Sequence, residues 1–453
     1  MNKTIKVRFW ELQKKTGRRR PHGVRWVTED KEHSEWFVTK ALAERRRSDL
    51  MQAARHGEAF DINSGWPESE YKARNSRSLL KLTQDFIDGQ WPNSAPNTRK
   101  RYVDSLAIAV AAFTKPARGR PDERVLRKAL TTYLLPTNRR KEPPEQEELR
   151  IAAEWITRAS RPIRELADEQ EVTPVLQALG KNLNGRTATA WSMAIRRSAL
   201  NQALKTAVNH ELATNPTTGI KITFKTTNDE VDPRVVINPA QAEQVLAAVT
   251  YAGRRRYMYA FFASMYYAAL RPAEANRLKD SDCKLPESGW GELVLEKSIG
   301  LSNARYSDTG QIWEERGLKR RGEGSIRRVP IPPQLVTILR DHIARFGTTS
   351  DGRLFHSPRN DFPINAKIYT IAWDMARKIG FSPAQYASPL ASTPYDLRHA
   401  ALSTWLAAGV PPAEVAERAG HTVDVLLTVY AQCLDGQRDT SNTRIANFLD
   451  GKT

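Results

Sequence analysis

Hydrophobic and polar positions alternate at the start of the chain. Apolar side chains occupy every second position from Ile5 through Val7 to Phe9, and two aromatic-rich runs follow, VRWV from Val24 and EWFV from Glu35. Alternation with a period of two residues is typical of strands that bury one face. The pattern therefore predicts three short strands.

The period changes after these strands. Thr39 is placed to cap a helix that runs to about Ala54, and Gly57 lies beyond the end of that helix. The apolar face of the helix is predicted to consist of Leu42, Leu50, Met51 and Ala54. Residues 1–65 are thus predicted to form a small three-stranded sheet with one helix.

From about residue 75 the spacing of apolar residues becomes helical. They recur every three or four positions, at Tyr102, Leu106, Val110 and Phe113, which predicts helices that bury one side. A later helix is predicted over TATAWSMAIRRSALNQALKTAVNHELATNP, with apolar positions at Trp191, Ile195, Leu200 and Leu204 and a stop at Asn215 and Pro216. Residues 75–225 are therefore expected to form a helical domain.

A polar segment, residues 226–238, is predicted to link this helical domain to a third domain, residues 239–453. Asn238 and Pro239 have the cap-plus-first-turn arrangement of a helix. The apolar stretch YMYAFFASMYYAAL is shorter than the roughly 20 residues that a membrane-spanning helix needs, and it predicts a buried helix. The expected fold class is mainly α with small β-sheets (α+β), the third domain being mixed α/β.

Charge narrows the class of partner. The 453 residues include 70 Lys and Arg against 51 Asp and Glu, which gives a formal net charge of +19 and a sequence pI near 9.9. Such an excess attracts polyanions, and nucleic acid is favoured over a membrane surface because the basic residues are not gathered beside an apolar amphipathic segment. The N-terminus has no apolar signal region, and Cys283 and Cys433 form neither a disulfide framework nor a metal-ligand cluster, so a cytosolic protein is expected.

Clusters of basic residues are candidates for contact with DNA phosphates, although each cluster is equally well explained as a solvated charged surface. One cluster follows the first predicted strand, others decorate the predicted helices, and one follows a lysine discussed below. The candidates are Arg18, Arg19, Arg20, Arg99, Lys100, Arg101, Arg196, Arg197, Lys205, Arg320 and Arg321.

Four sequence blocks in the third domain carry groups suited to phosphodiester chemistry. Breaking such a bond without a metal requires cations beside the non-bridging oxygens, a nucleophile in line with the leaving oxygen, and an acid for that oxygen. In chain order the blocks are AALRPAEANRLKDSD with Arg271, RGLKRRGEGSIRRVPIPP with Lys319 in a predicted hairpin, TPYDLRHAALSTWLAAGV with Arg398 on the first turn of a helix, and ERAGHTVDVLLTVYAQCL with His421 and Tyr430. Taken singly, each block has an ordinary structural explanation.

The ordered combination resembles the tyrosine recombinase family, also called the phage integrase family. The resemblance rests on LRPAEANRL, on LKRR to RRVPIP, on YDLRHAALSTWL and on AGHTVDVLLTVY, and it covers roughly residues 239–440. It is looser over the helical segment, and residues 1–65 only look like the arm-binding domain that some integrases carry. The fold expected from the resemblance is a helical core-binding domain followed by a catalytic domain of the tyrosine recombinase type.

The resemblance also implies roles for individual residues. Arg271 and Arg398 would clamp the scissile phosphate, and His421 would add a hydrogen bond to it. Lys319 would protonate the departing 5′ oxygen, and Tyr430 would attack phosphorus to leave a 3′-phosphotyrosyl link. Neither ATP, nor a metal, nor any cofactor is expected.

Partners are implied in the same way. They are double-stranded DNA at specific attachment sites, three further copies of the chain in a homotetramer on two synapsed sites, and an excision or DNA-bending accessory factor. The C-terminal stretch SNTRIANFLDG is a candidate for docking onto a neighbouring copy. The expected location is the cytoplasm, at the nucleoid.

One position departs from the family pattern. Three residues before Arg398 the family commonly has a histidine that can accept the proton of the nucleophile, whereas this chain has Tyr395. A neutral phenol, with a reference pKa of about 10, is a poor base at neutral pH. His399 is a possible substitute, but a role in helix packing or in a polar network is the preferred interpretation of this residue.

Three alternatives stay open. The first is a recombinase-like protein that occupies DNA without cutting it. The second is a type IB topoisomerase-like enzyme that relaxes supercoils, and the third is a helix-turn-helix regulator. The Tyr395 departure favours the first, and the integrase-like N-terminal segment argues against the second.

Overall fold

The computed structural model describes residues 2–142, 144–220, 232–318, 324–434 and 438–450. The chain divides into two compact units, residues 1–224 and 225–453. Residues 226–231 of the predicted linker, residues 226–238, lie outside the described residues. Among the helices that are described, none is both long enough and apolar enough to cross a membrane.

A small antiparallel sheet begins the first unit, as the alternation predicts. Its elements are β1 (Lys3–Thr4), β2 (Val7–Phe9), β3 (Gln13–Lys14), β4 (His22–Thr28), β5 (Lys31–Phe37), helix α1 (Lys40–Arg55) and β6 (Phe60–Asp61). Strand β5 pairs with β4 along its whole length, while β2 and β3 pair with successive parts of β4, and β1 pairs separately with β6. The sheet thus has four strands, β2 to β5, where three were predicted, because Gln13–Lys14 also pairs with β4.

Helix α1 closes one face of this sheet. The Thr39 side chain accepts a hydrogen bond from the Leu42 backbone N–H, so the predicted cap is confirmed. Leu42 itself is 50% exposed, contrary to the prediction, because Ala43 and Leu50 are the α1 residues buried against Trp26 and its neighbours.

The rest of the first unit is helical. Its helices are α2 (Glu68–Arg74), α3 (Leu79–Gln90), α4 (Pro96–Ala112), α5 (Glu123–Ala129), α6 (Glu147–Ala159), α7 (Glu169–Leu179) and α8 (Ala190–Lys205). Helix α4 packs against α3, α5, α7 and α8, and its predicted core residues Leu106 and Val110 are fully buried. Hydrophobic burial around α4 therefore organises this part of the chain.

Helix α8 is shorter than predicted. It ends at Lys205 and does not reach Asn215, because the backbone turns at Asn209, where φ is +66°. Asparagine tolerates this left-handed conformation better than most residues. Trp191, predicted to face the core, is 69% exposed.

The second unit contains two small sheets among helices. Its elements are α9 (Pro239–Thr250), α10 (Tyr259–Tyr267), α11 (Pro272–Ala275), β7 (Cys283–Lys284), β8 (Gly291–Leu295), β9 (Lys297–Leu301), β10 (Trp313–Gly317), β11 (Arg327–Ile331), α12 (Pro333–Phe346), α13 (Ala366–Gly380), α14 (Pro383–Ala387), α15 (Asp396–Ala407), α16 (Pro412–Ala419), α17 (Val423–Leu434) and α18 (Arg438–Leu449). The predicted cap at Asn238 is present as a full capping box with Gln241.

The strands that flank Lys319 do not pair with each other. Strand β10 pairs with β9, whereas β11 pairs with β8, which in turn pairs with β7. The prediction of a hairpin joining β10 to β11 is therefore wrong, because the two strands belong to different sheets. Lys319 itself lies outside the described residues.

The core of the second unit is in two parts. The larger part surrounds α10, the predicted buried helix, whose Phe261 and Phe262 have no exposed surface. The smaller part joins α15, α16 and α17, and it includes Leu402, Leu426 and Tyr430. Arg398 and His399, on the first turns of α15, stand where these two parts meet.

Candidate active site

Buried charges from three separate elements converge in the second unit. Arg271 caps the short helix α11, Glu274 lies within α11, Arg327 opens β11, and Arg398 lies on the first turn of α15. Glu274, Arg327 and Arg398 are each at most 1% exposed, and the Arg271 side chain is 14% exposed. We call these four residues the guanidinium cluster.

Glu274 holds the guanidinium cluster together. Its two carboxylate oxygens accept from Arg327 Nη1 and Nη2 at 3.0 and 2.8 Å, and they also accept from the backbone N and Nη1 of Arg271, both at 2.8 Å. Burial alone would raise the pKa of Glu274, but the charges of Arg327, Arg398 and Arg271 lower that pKa to about 2. The carboxylate is therefore ionised at neutral pH.

The end of α16 supplies further acceptors. The Ala419 carbonyl accepts from Arg327 and Arg398, and the Gly420 carbonyl accepts from Arg271 Nη2 at 3.0 Å. Carbonyls at a helix C-terminus carry partial negative charge and favour nearby cations. Gly420 ends the helix with φ at +64°, and a Cβ atom there would lie 2.5 Å from Arg327 Nη1, so the position requires glycine.

Arg398 connects the guanidinium cluster to His421. Its Nη1 donates to the Ala269 carbonyl, and its Nη2 donates to His421 Nε2 at 3.0 Å. Burial and the neighbouring charge of Arg271 lower the pKa of Arg398 to about 10, so it still carries its charge at neutral pH. Three positive charges and one negative charge leave the guanidinium cluster with a net charge of +2.

His421 offers a hydrogen-bond donor beside this positive charge. Since a guanidinium can only donate, Nε2 of His421 is the acceptor and the ring proton belongs on Nδ1. Burial, together with Arg398 and Arg271, lowers the pKa of His421 to about 3, so the ring is neutral. Within the described part of the chain, the buried Nδ1 finds no hydrogen-bond partner, which leaves its N–H available to an incoming anion.

Tyr430 lies on α17, which packs against α15. It is 2% exposed, and the backbone of α17 departs from helical geometry at this residue, with φ at −118° and ψ at 21°. Its hydroxyl oxygen is 2.6 Å from Nδ1 of His399. Burial and the charge of Arg398 lower the pKa of His399 to about 4, so this imidazole is also neutral at neutral pH. The kink therefore aims a phenol at a neutral imidazole adjacent to Arg398.

Comparison with known proteins identifies the architecture. No protein-family model matches the sequence, and no curated protein matches it either. Among solved structures, the chain is similar to a fragment of the Tn1549 transposon integrase in complex with transposon right end DNA, with a TM-score of 0.53, 16% identity, and coverage of 82% of this chain and 99% of that one. The same integrase in complex with circular intermediate DNA gives a TM-score of 0.51 at 18% identity, over 82% and 100% of the two chains. The chain has the integrase fold.

Within the integrase fold, most of the residues expected at the site come together. Arg271, Arg398 and His421 are linked by direct or shared hydrogen bonds, and Tyr430 joins them through His399, the neighbour of Arg398. Tyr395 is 36% exposed. Its backbone carbonyl accepts from the Arg398 backbone N–H at 3.0 Å, and its ring meets the His399 ring edge to face, with ring centroids 5.1 Å apart. Lys319, Arg320 and Arg321 lie outside the described residues.

The sequence did not predict two members of the site. Arg327 and the role of Glu274 went unrecognised, although Glu274 stands one helical turn after Arg271, a spacing at which side chains meet. His399 was considered as a substitute base, with helix packing or a polar network preferred, and it forms a short hydrogen bond to Tyr430. The only local signal for His399 was its position next to Arg398.

Several of the candidate DNA contacts are exposed in the integrase fold. Arg18, Arg19 and Arg20 lie on the surface, where the Arg18 guanidinium stands 5.6 Å from the Trp36 ring. Arg101 and Lys205 are also exposed. Lys100 is exposed as well, and its ammonium pairs with Asp104 at 2.6 Å.

Other candidates are occupied within the protein. Arg99 is 6% exposed, stacks on Trp91 at 4.7 Å and donates to the Trp91 carbonyl, so its expected place on a solvated surface is wrong. Arg196 donates to the carbonyls of Leu179 and Lys181, while Arg197 donates to two other carbonyls. The guanidinium groups of Arg196 and Arg197 thus bind backbone carbonyls of segments that are distant in sequence, and the sequence pattern did not predict these contacts.

Proposed function

We propose that this protein is a site-specific DNA recombinase of the tyrosine type, which cleaves and rejoins DNA strands through a 3′-phosphotyrosyl intermediate to integrate or excise a mobile element. One observation carries the proposal. A tyrosine hydroxyl held at a helix kink adjoins an imidazole whose neighbour in the chain, Arg398, belongs to a buried cluster of net charge +2. The integrase fold and the charge of the chain, +19, support the same function.

The scissile phosphate is the anion that the guanidinium cluster would receive. Arg271 is the arginine of the cluster with exposed surface, and His421 can donate through Nδ1. The Nη groups of Arg398 already donate to Ala269, Ala419 and His421. Direct contact between Arg398 and phosphate would therefore exchange some of these hydrogen bonds for charge-assisted ones.

The bonds balance without an external energy source. The Tyr430 oxygen forms a bond to phosphorus while the bond from phosphorus to the 5′ oxygen breaks, and the departing oxygen takes a proton, which we assign to Lys319 by resemblance. One phosphate ester replaces another, so the reverse attack by a 5′ hydroxyl rejoins DNA at little net cost.

Binding to duplex DNA would use the exposed basic residues of the first unit, among them Arg18 to Arg20, Arg101 and Lys205. Four protomers on two synapsed sites, an accessory bending or excision factor and association with the nucleoid form part of the same proposal. Light scattering on DNA-bound protein tests the assembly, because a monomeric synaptic complex would exclude the tetramer.

Capture of the covalent adduct tests the chemistry. A pool of nicked duplexes with randomised sequence and labelled 5′ ends, which stay on the strand that Tyr430 would capture, is incubated with the full chain in EDTA, and adducts that survive denaturation are separated on a gel and sequenced. The intact chain should yield an adduct, and Tyr430→Phe should bind DNA but yield none.

A matched variant controls for the loss of a tyrosine hydroxyl elsewhere in the same unit. Tyr386 donates its hydroxyl to Asp374 at 3.0 Å, and Tyr386→Phe should keep the adduct. An adduct formed normally by Tyr430→Phe would refute the nucleophile assignment. With a supercoiled plasmid, relaxed circles in place of joined partner sites would favour the topoisomerase-like activity.

A further inference from the structure

The proposed chemistry needs a group that removes the proton of Tyr430, and the structure supplies one that the resemblance does not. We propose that His399 is the general base for Tyr430, an inference that rests on the proposed recombinase function. The Tyr430 hydroxyl oxygen is 2.6 Å from His399 Nδ1, within the range of a strong O–H to N hydrogen bond.

The position that the resemblance reserves for the base does not serve here. Tyr395 occupies it, is 36% exposed, and meets the His399 ring edge to face at a centroid distance of 5.1 Å. A neutral phenol cannot hold an additional proton at neutral pH, since its reference pKa of about 10 describes the loss of its own proton and not the gain of a second one. Tyr395 is better placed to orient the His399 ring than to accept a proton.

The second histidine of the site is also occupied. His421 Nε2 accepts from Arg398 at 3.0 Å, so its lone pair is engaged, and its other nitrogen carries the ring proton. His399 instead presents Nδ1 to the phenol, which is an acceptor when the ring proton resides on Nε2. The two histidines therefore divide the work: His421 donates to the phosphate, and His399 accepts from the nucleophile.

The electrostatic surroundings keep His399 able to act. The charged and ionisable groups that face it are Arg398 and Tyr395 on its own helix, His421 before α17, and Tyr430 on α17. Burial and Arg398 hold the pKa of His399 at about 4, so the ring is unprotonated at neutral pH. A bound phosphate would bring negative charge close to Arg398 and would make protonation of His399 easier at the moment it is needed.

The proton can be followed in both directions. In cleavage, the bond between the Tyr430 oxygen and its hydrogen breaks, the proton passes to His399 Nδ1, and the oxygen bonds to phosphorus as the 5′ oxygen departs. In rejoining, the 5′ hydroxyl returns its proton to Lys319 and its oxygen bonds to phosphorus. The bond from phosphorus to the Tyr430 oxygen breaks, and His399 returns the proton to that oxygen. The same residue thus serves as base and then as acid.

Single-turnover adduct formation on the captured nicked duplex tests this assignment. His399→Gln should retain DNA binding and thermal stability while the rate of adduct formation falls about 10²- to 10⁴-fold, the usual contribution of a general base. The intact chain should lose activity as the pH falls through the pKa of His399 in the DNA complex. His399→Gln should lack this inflection, and Tyr395→Phe should retain it.

A second measurement changes the acidity of the nucleophile, both with His399 in place and without it. Replacing Tyr430 with 3,5-difluorotyrosine lowers the pKa of the nucleophile, so in the His399→Gln background it should restore the rate far more than in the intact chain. In the otherwise unchanged chain, the inflection of the pH–rate profile should stay in place when the phenol is fluorinated. This last test remains decisive even if His399→Gln fails to fold.

The outcomes separate the two proposals. If the intact chain forms no adduct with any duplex, the recombinase function itself fails. If it forms an adduct that Tyr430→Phe abolishes, but the inflection moves with the acidity of the phenol, His399 is not the base. A reduced rate in His399→Gln with an unchanged inflection would likewise show that His399 only positions Tyr430.

Discussion

Replacing Glu274 by glutamine should destabilise the second unit by several kcal/mol, because Glu274 is the carboxylate that neutralises a buried group of arginines. Its pKa lies at about 2 in the folded chain against a reference value of 4.5, a difference of 2.5 that corresponds to about 3 kcal/mol of stability at neutral pH. Removing one partner of a buried ion pair typically costs about 3–5 kcal/mol, which is the same range.

The stabilising contribution of Glu274 should decrease as the pH falls. Because folding depresses the pKa of Glu274, its contribution is complete above pH 4.5 and is lost as the pH falls toward 2. At pH 3 about 2 kcal/mol of the roughly 3 kcal/mol should already be lost, from the two protonation equilibria. The gap between the intact chain and Glu274→Gln should therefore narrow on acidification.

Hydrogen exchange of amides in β11 and α15, with increasing urea, measures the free energy of opening where the guanidinium cluster lies. The matched control is Glu292→Gln, since Glu292 also pairs with two cations, Lys284 at 2.7 Å and Arg328 at 2.9 Å, but at the surface. Loss of an exposed pair should cost below about 1 kcal/mol. Equal costs for the two variants, or a gap that is constant between pH 7 and pH 3, would refute the reasoning.

Two further substitutions probe the same cluster. Gly420→Ala should slow adduct formation and lower stability by more than the control Gly310→Ala. Both glycines have φ near +70°. A Cβ atom at position 420 would lie 2.5 Å from Arg327 Nη1, whereas a Cβ atom at position 310 would have open space. Equal effects would show that backbone strain alone is at work. The Arg271→Ala variant should bind DNA with nearly unchanged affinity, but its single-turnover cleavage rate should fall by orders of magnitude. A loss of DNA affinity as large as the loss of rate would instead place Arg271 in DNA recognition.

The sequence predicted those site residues whose positions follow from their close neighbours in the chain. Arg398 on the first turn of a helix, and His421 directly after the glycine that ends another, follow from cap and periodicity rules. The pairing of Glu274 with Arg327 could not be predicted in this way, since 53 residues separate them and only the packing of α11 against its neighbours brings them together. The hydrogen bond from Tyr430 to His399 depends on a kink inside α17, and no residue type in that stretch predicts a kink.

The same limit explains the errors among the basic residues. A charge pattern records which residues are cationic, but burial decides whether they are available to a partner. Arg99 belongs to a basic run with Lys100 and Arg101, yet it alone of the three turns inward to stack on Trp91. The direction of each side chain follows from its position on α4, and the buried face of α4 is set by the four helices that pack around it.

The net charge of the guanidinium cluster suggests why one carboxylate is buried among three arginines. A phosphodiester carries one negative charge, whereas the five-coordinate state formed when a deprotonated Tyr430 attacks it carries two. In the proposed reaction, a cluster of charge +2 would be balanced by the second state and not by the first, so it would stabilise the transition state more than the bound substrate, which is the condition for catalysis. Without Glu274 the charge would be +3, and ground-state DNA would be held more tightly with no matching gain at the transition state. On this reasoning Glu274 sets the charge of the site as well as its geometry.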